Sequence, residues 1–144
     1  MPCLIDSNVL IDVSRGHQPA IQYLDHLLEP WMLSQITAME LIAGARNQRE
    51  LTVIDGFLSQ ISVIPLSDHI GVRAYELLKA YAKSDGLHVF DALIAATAIE
   101  LSYQLVTRNF KHYRMIAGLR TCLINGECHQ IRVCLRLFQR NNSV

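Results

Sequence analysis

Three carboxylates and one carboxamide stand at or near the ends of short apolar segments of this chain of 144 residues. Asp6 directly follows the apolar residues 3–5, and Asn109 directly follows Arg108 at the end of another such segment. Glu40 comes shortly after a third segment, and Asp91 opens an alanine-rich one. A carboxylate beside a hydrophobic core is costly to desolvate unless it is paired or binds a cation. Oxygen ligands of this kind suit the hard divalent cations Mg²⁺ and Mn²⁺.

Short apolar segments alternate with amphipathic ones, which predicts an α/β fold with a mostly parallel sheet. The predicted strands are residues 3–5, 31–34, 62–66 and 104–107, with LRTCLI at 119–124 as a candidate edge strand. The predicted helices are residues 8–14, 18–28, 38–45, 48–60, 68–83 and 88–102. Ligands of parallel sheets bind beyond the carboxyl ends of the strands. The four oxygen-bearing residues can therefore meet at one edge of the sheet.

The composition indicates one folded domain. A hydrophobic content of 51% with 18% charged residues excludes a disordered chain. The longest apolar run, at 92–99, is eight residues, far below the roughly 18–20 that a membrane span needs. Met1 leads directly into a predicted strand, without the basic start and apolar segment of a signal peptide. We therefore expect a cytoplasmic protein that does not associate with membranes.

The net charge of zero hides an asymmetry along the chain. Residues 1–100 hold six basic and twelve acidic side chains, whereas residues 101–144 hold seven basic and one acidic. An acidic body with a basic end suits a metal ion at one place and a polyanion at another. Ordinary scatter of solvated surface charge would produce the same numbers.

Each acid also has a purely structural explanation. Asp6 would serve as the N-cap of the helix that follows it. Glu40 would complete a capping box with Thr37, at the start of the helix predicted from residue 38. Asp91 would favour a helix N-terminus through the helix dipole. Two further acids are assigned to caps or solvated faces: Asp12 and Asp85.

Four segments form a larger pattern: IDSNVLID at 5–12, ITAMELIAGA at 36–45, HVFDALIAATAIE at 88–100 and LVTRNFKHYRMI at 105–116. In this order and spacing the chain resembles the PIN-domain ribonucleases, in particular the VapC-type toxins of bacterial toxin–antitoxin pairs. The resemblance covers residues 1 to about 120. It implies a single PIN-like domain over residues 1–124, with a mostly parallel central sheet flanked by helices.

The resemblance also implies an activity, which is metal-dependent cleavage of RNA by an endoribonuclease toxin. Asp6, Glu40 and Asp91 match the three catalytic acids of the family and, with Asn109, would bind Mg²⁺ or Mn²⁺. The wider family often carries Asp where this chain has Asn109. The carboxamide keeps an oxygen ligand but removes one negative charge, so a second metal ion should bind more weakly. His112 stands where some relatives carry another Asp.

The implied substrate and partners follow from the same resemblance. The expected RNA contacts are Ser7, Arg108, Lys111 and Arg114. The three basic residues lie just past the fourth strand, where they would hold flanking phosphates, although a solvated basic loop explains them too. The expected protein partners are a small cognate antitoxin, lying over the acidic site, and a second copy of the chain.

Two other functions were considered beside the endoribonuclease, and the C-terminal tail departs from the pattern of the family. A catalytically weak PIN-like domain that acts by protein binding is the alternative function, favoured by Asn109. A phosphatase of the D-x-D type is disfavoured, since position 8 is Asn.

The basic tail at 125–144 extends beyond the usual family end, and its Cys and His spacing does not match a zinc site. An extra strand, an RNA-contacting arm and a frame-shifted remnant all fit this tail, which we expect to be dispensable for folding.

Overall fold

The computed structural model describes residues 1–124, in which strands and helices alternate along the chain. The elements are β1 Cys3–Ile5, α1 Ser7–Ser14, α2 Gln18–His26, β2 Trp31–Ser34, α3 Gln35–Ala43, α4 Gln48–Leu58, β3 Val63–Ile64, α5 Asp68–Asp85, α6 Val89–Leu101, β4 Gln104–Thr107, a 3₁₀ helix Phe110–His112 and β5 Thr121–Leu123. The strands form one sheet in the order β3-β2-β1-β4-β5. All four pairings are parallel, which confirms the predicted α/β class.

The central strand β1 divides the hydrophobic core into two layers. Leu4 packs in the layer that α5 and α6 cover, whereas Cys3 and Ile5 pack in the layer of α1, α2 and α4. Successive side chains of a strand point to opposite faces, so all three are buried although they alternate in direction. A strand buried on both faces is an uninterrupted apolar run, and it carries the chain straight from the core into Asp6.

Helix α6 is buried on most sides, as its composition predicts. The residues from Ile94 to Ala98 are all buried, and Thr97 satisfies its hydroxyl by donating to the carbonyl of Leu93 at 2.8 Å. Small alanine side chains let this helix lie close to both α5 and the sheet. The close packing fixes the N-terminal turn of α6, where Asp91 is located.

The predicted capping box at the start of α3 is wrong. The helix begins at Gln35 and is capped by Ser34, whose hydroxyl accepts a hydrogen bond from the N–H of Thr37 at 3.1 Å. Thr37 is therefore a buried residue inside the helix, and Glu40 lies in the second turn rather than the first. Capping does not explain Glu40, because a capping carboxylate must lie within the first turn.

The remaining elements follow the prediction with small differences at their ends. The predicted strands all form, and LRTCLI provides the edge strand β5. The apolar stripes of the second and fourth helices are core, since Ile21, Leu24, Ile54 and Phe57 are buried. Within residues 1–124, no helix combines the length and apolar character needed to cross a membrane. The tail at 125–144 lies outside the described residues, and its dispensability stays a prediction.

The cap of α3 provides a stability test. Ser34→Ala should lower the free energy of unfolding by about 1–2 kcal/mol, because the N–H of Thr37 loses its acceptor inside the protein. Urea denaturation followed by circular dichroism measures this loss. Thr37→Val keeps the side-chain volume and the Ser34 cap, and should lower the free energy of unfolding by less than Ser34→Ala does. A larger loss in Thr37→Val than in Ser34→Ala would contradict the assignment of the cap.

Candidate active site

The site begins with the register between the two central strands. β1 and β4 pair in parallel with Ile5 opposite Val106, so the residues that follow them, Asp6 and Thr107, lie side by side at the carboxyl edge of the sheet. The N–H of Asp6 donates to the carbonyl of Val106 at 2.9 Å and extends the pairing by one residue. Asp6 is only 2% exposed. The two strands thus hold a carboxylate at the end of the core.

The Asp6 carboxylate accepts hydrogen bonds on both oxygens. Oδ1 accepts from the backbone N–H of Ser7 at 2.8 Å, which makes Asp6 the N-cap of α1, as the structural explanation predicts. Oδ2 accepts from the Thr107 hydroxyl at 2.8 Å and from the side-chain amide of Asn8 at 3.0 Å. The cap and a role in the site are compatible, because an ionised oxygen accepts more than one hydrogen bond.

Asp91 faces Asp6 from the first turn of α6. Its Oδ1 accepts a hydrogen bond from the Tyr113 hydroxyl at 3.1 Å, and its Oδ2 lies 3.3 Å from Nδ1 of His112. The side chain of Asp91 is 22% exposed. This acid is therefore held by the loop after β4 and still reaches solvent.

Glu40 approaches the other two acids from α3 and differs from them in its hydrogen bonding. Its Oε2 is buried and, among residues 1–124, has no hydrogen-bond partner. Such an oxygen loses its hydration without compensation, which costs about 1–3 kcal/mol. Glu40 is the position in the cluster where a further ligand would satisfy a buried atom.

The three carboxylates interact electrostatically. Burial raises the pKa of Asp6; the hydrogen bond from Thr107 opposes this rise and the charge on Asp91 adds to it. Burial also raises the pKa of Glu40; the hydrogen bond from Ser7 opposes the rise and the charges on Asp6 and Asp91 add to it. Asp6 and Glu40 are thus harder to ionise because other carboxylates are near. A bound cation would reverse this effect.

The acids fit a hard divalent cation without forming a closed cage for it. Within the part of the chain that the structure describes, no three His, Cys, Asp or Glu side chains are arranged to hold a metal ion together. Mg²⁺ is usually bound by one or two carboxylates and keeps several waters. The donor set is all oxygen, and Glu40 offers an unpaired one. These residues therefore suit an ion that is ligated partly by water.

The fourth predicted ligand and Ser7 lie beside this cluster. Asn109 is half-buried, and its backbone N–H donates to the Thr107 hydroxyl at 3.0 Å. Ser7, predicted to contact RNA, directs its backbone N–H to Asp6, and its hydroxyl lies 3.4 Å from the same oxygen. In this structure Ser7 is part of the acidic cluster.

The three basic residues after β4 differ from one another. Arg108 forms an ion pair with Asp12, and its N–H donates to the Asn8 side chain at 3.2 Å. The prediction that Asp12 lies on a solvated face or cap is wrong, because this residue is buried and paired. Lys111 and Arg114 are exposed. Arg108 is exposed too, but its ion pair with Asp12 ties the loop to α1. Lys111 and Arg114 form no ion pair with another of residues 1–124 and remain available for a polyanion.

Sequence reasoning assigned no role in the site to Thr107, Asn8 or Tyr113. Thr107 ends the fourth predicted strand, so the strand-end argument that selected Asp6 also applied to it. Tyr113 carries no such signal, because its contact with Asp91 spans 22 residues and depends on how the loop turns. Position in the sequence therefore gives a signal for Thr107 but none for Tyr113.

Comparison with known proteins identifies the family. Residues 3–117 match the model of the PIN domain. The chain belongs to the PIN-domain family. Ribonuclease VapC19 of Mycobacterium tuberculosis is 32% identical over 121 residues, which cover 81% of this chain and 96% of the relative. The tRNA(fMet)-specific endonuclease VapC of Shigella flexneri is 30% identical over 127 residues, which cover 82% of this chain and 94% of that relative.

A solved structure agrees with these relatives. A toxin–antitoxin complex from Klebsiella pneumoniae contains a chain that superimposes on this PIN domain with a TM-score of 0.73 and 31% identity, covering 90% of this chain and 99% of that one. Within the family, this PIN domain therefore belongs with the VapC ribonucleases. The predicted family and fold are confirmed.

The raised pKa of Glu40 predicts a pH-dependent stability. Because the folded protein ionises Glu40 less readily than the unfolded chain does, the charged carboxylate destabilises the fold at pH 7. Without metal, Glu40→Gln should therefore raise the melting temperature at pH 7. The advantage should shrink as the pH falls through the raised pKa, where Glu40 becomes protonated in the folded state.

Thermal denaturation in EDTA across the acid and neutral range measures this effect. Glu76→Gln is the matched control, because the Glu76 side chain is 59% exposed on α5. It should change stability by no more than about 0.5 kcal/mol. A Glu40→Gln protein that is less stable than the wild type at pH 7, or an advantage that grows with acidity, would disprove the argument.

Proposed function

We propose that this PIN-domain protein is a metal-dependent endoribonuclease that cleaves RNA at the cluster of Asp6, Glu40 and Asp91, and that it acts as the toxin of a toxin–antitoxin pair in the cytoplasm. The observation that carries the proposal is electrostatic: three carboxylates from separate elements at the carboxyl edge of a parallel sheet lie near enough for their charges to act on one another. One of them, Glu40, also has a buried oxygen with no hydrogen-bond partner among residues 1–124. The ribonuclease names of the relatives support the same chemistry.

The residues have distinct roles in this proposal. Asp6, Glu40 and Asp91, with Asn109 as a neutral ligand, hold Mg²⁺ or Mn²⁺. Such an ion, when bound, lowers the pKa of a coordinated water and stabilises charge on the phosphodiester. The hydrogen bonds to Asp6 and Asp91 fix both carboxylates before RNA arrives, which reduces the reorganisation that catalysis requires.

The charge of the cluster favours one ion over two. Three carboxylates carry three formal negative charges at most, and Asn109 adds none. One bound divalent ion would reduce three negative charges to one, so a second divalent ion would leave the site net positive and should bind more weakly. We infer that one ion is sufficient for the activity.

RNA reaches the site beside the loop after β4. Lys111 and Arg114 are exposed there, close in sequence to Asn109. Their side chains hold phosphates that flank the scissile bond, a contact that positions RNA without reading its bases. Arg108 contributes less, since Asp12 already neutralises its charge.

RNA cleavage by the purified protein tests the proposal. With Mn²⁺ or Mg²⁺ the wild type should cut RNA, and EDTA should abolish the cutting. Asp6→Asn and Asp91→Asn should each lower the rate by more than about 100-fold, since several kcal/mol of transition-state stabilisation depend on the ion. Asp85→Asn is the matched control, because Asp85 is exposed at the C-terminal end of α5, as predicted.

Either of two results would contradict the proposal. One is cleavage that persists at the wild-type rate in Asp6→Asn, which would indicate a contaminating nuclease or another site. The other is folded protein that cuts no RNA with either metal ion. The second result would favour the alternative of a catalytically weak binding domain, in which Asn109 is the first residue to examine.

A groove next to Glu40 supports the antitoxin as partner. It has a volume of about 460 Å³ and lies between α1, α3 and α4. Its wall is apolar at Ile11, Leu41 and Ile54 and charged at Arg15 and Glu50. An apolar groove with a polar rim suits a segment of another protein. A segment in this groove would cover the acids and block RNA.

Co-expression with a small neighbouring reading frame tests this partner. The two proteins should purify as one stable complex, and the complex should not cleave RNA until the partner is removed. Asp6→Asn protein should bind the partner equally well, because the groove itself is unchanged. A complex that cuts RNA at the rate of the free protein would contradict a partner that covers the site.

A further inference from the structure

We propose that Tyr113 is a positioning residue of the acidic cluster, whose hydroxyl fixes the Asp91 carboxylate for the binding of a divalent cation. The inference rests on the proposed function and adds a residue to it. The Tyr113 side chain approaches the acids from the hydrophobic core, whereas the RNA would approach them from solvent. It therefore acts through Asp91 and does not touch the substrate.

The location of Tyr113 is rigidly determined. The residue is 1% exposed and belongs to the core layer that contains Leu4 and Leu105. Its N–H donates to the carbonyl of Phe110 and its carbonyl accepts from Ile116, both at 3.0 Å. A ring held by core packing and by two backbone hydrogen bonds places its hydroxyl at one point.

Packing in the core does not require the hydroxyl of Tyr113. The surroundings of the ring are apolar, so a phenylalanine would fill the same space. The hydroxyl donates to Asp91 Oδ1 at 3.1 Å.

A donor on a ligating carboxylate changes the affinity of a metal site. The bond from Tyr113 occupies one lone pair of Oδ1 and sets the rotation of the carboxylate, and His112 restrains the other oxygen at 3.3 Å. The remaining lone pairs then point in directions that are set before the ion arrives. Loss of such an outer hydrogen bond typically costs 10–100-fold in metal affinity.

Tyr113→Phe removes the hydroxyl and keeps the ring. The full chain should bind Mn²⁺ about tenfold more weakly than the wild type in isothermal titration calorimetry. The RNA cleavage rate should fall at limiting Mn²⁺ and return to the wild-type value at saturating Mn²⁺. This recovery separates a positioning role from direct participation in the reaction.

Tyr81→Phe is the matched control. Tyr81 is partly buried against the same core layer, and its hydroxyl accepts the N–H of Ala117 at 3.3 Å, away from the acids. Its removal should leave Mn²⁺ affinity unchanged. The thermal shift caused by Mn²⁺, measured for each variant from its own metal-free melting temperature, keeps the comparison valid if either variant is less stable.

The outcomes distinguish this inference from the proposed function. Equal Mn²⁺ affinity in Tyr113→Phe and wild type, with binding lost in Asp6→Asn, would overturn the role of Tyr113 alone. A rate defect that saturating Mn²⁺ does not restore would overturn it too. A wild-type protein that binds no Mn²⁺, or Asp6→Asn protein that binds it normally, would overturn the metal site itself and this inference with it.

Discussion

The burial of one carboxylate at the end of the central strand is the constraint on which the rest of the site depends. Asp6 is 2% exposed, so it has lost nearly all the water that stabilises its charge, and the protein must supply other partners. Ser7, Asn8 and Thr107 do so from two different elements. The cost is met only in part, because burial still raises the pKa of Asp6. A cation bound beside Asp6 would therefore stabilise the buried carboxylate.

Helix ends divide the three acids into two kinds. Asp6 caps α1 and Asp91 lies in the first turn of α6, so both face the positive end of a helix dipole, which favours a negative charge there. Glu40 lies in the second turn of α3 and lacks this support. It is also the acid with a buried, unpaired oxygen. The least satisfied carboxylate is therefore the one whose environment a bound ion would improve most.

The loop after β4 connects the acids with the core and with α1. Thr107 bonds to Asp6, Arg108 pairs with Asp12, and Tyr113 holds Asp91. Thr107 is the last residue of β4, and Arg108 and Tyr113 lie in the loop after it. A shift of this loop would therefore disturb the contacts with Asp12 and Asp91. The same loop carries exposed basic residues toward solvent. One short segment thus combines the support of the carboxylates with a surface suited to phosphates.

The sequence by itself determined the elements and the three acids. Apolar runs and helical periodicity are local signals, so they marked the strands from Cys3–Ile5 to Gln104–Thr107, and the four family segments then selected Asp6, Glu40 and Asp91. The N-cap of α3 was harder to predict, because Ser34 and Thr37 are both good caps and lie only one turn apart. In the structure the backbone is extended at Ser34, which is the cap. Tertiary structure alone decided the partners. Thr107 and Asp6 are 101 residues apart, and Arg108 and Asp12 are 96 apart. Such pairs form only because β4 lies beside β1, and strand order results from the packing of the whole chain rather than from any local pattern.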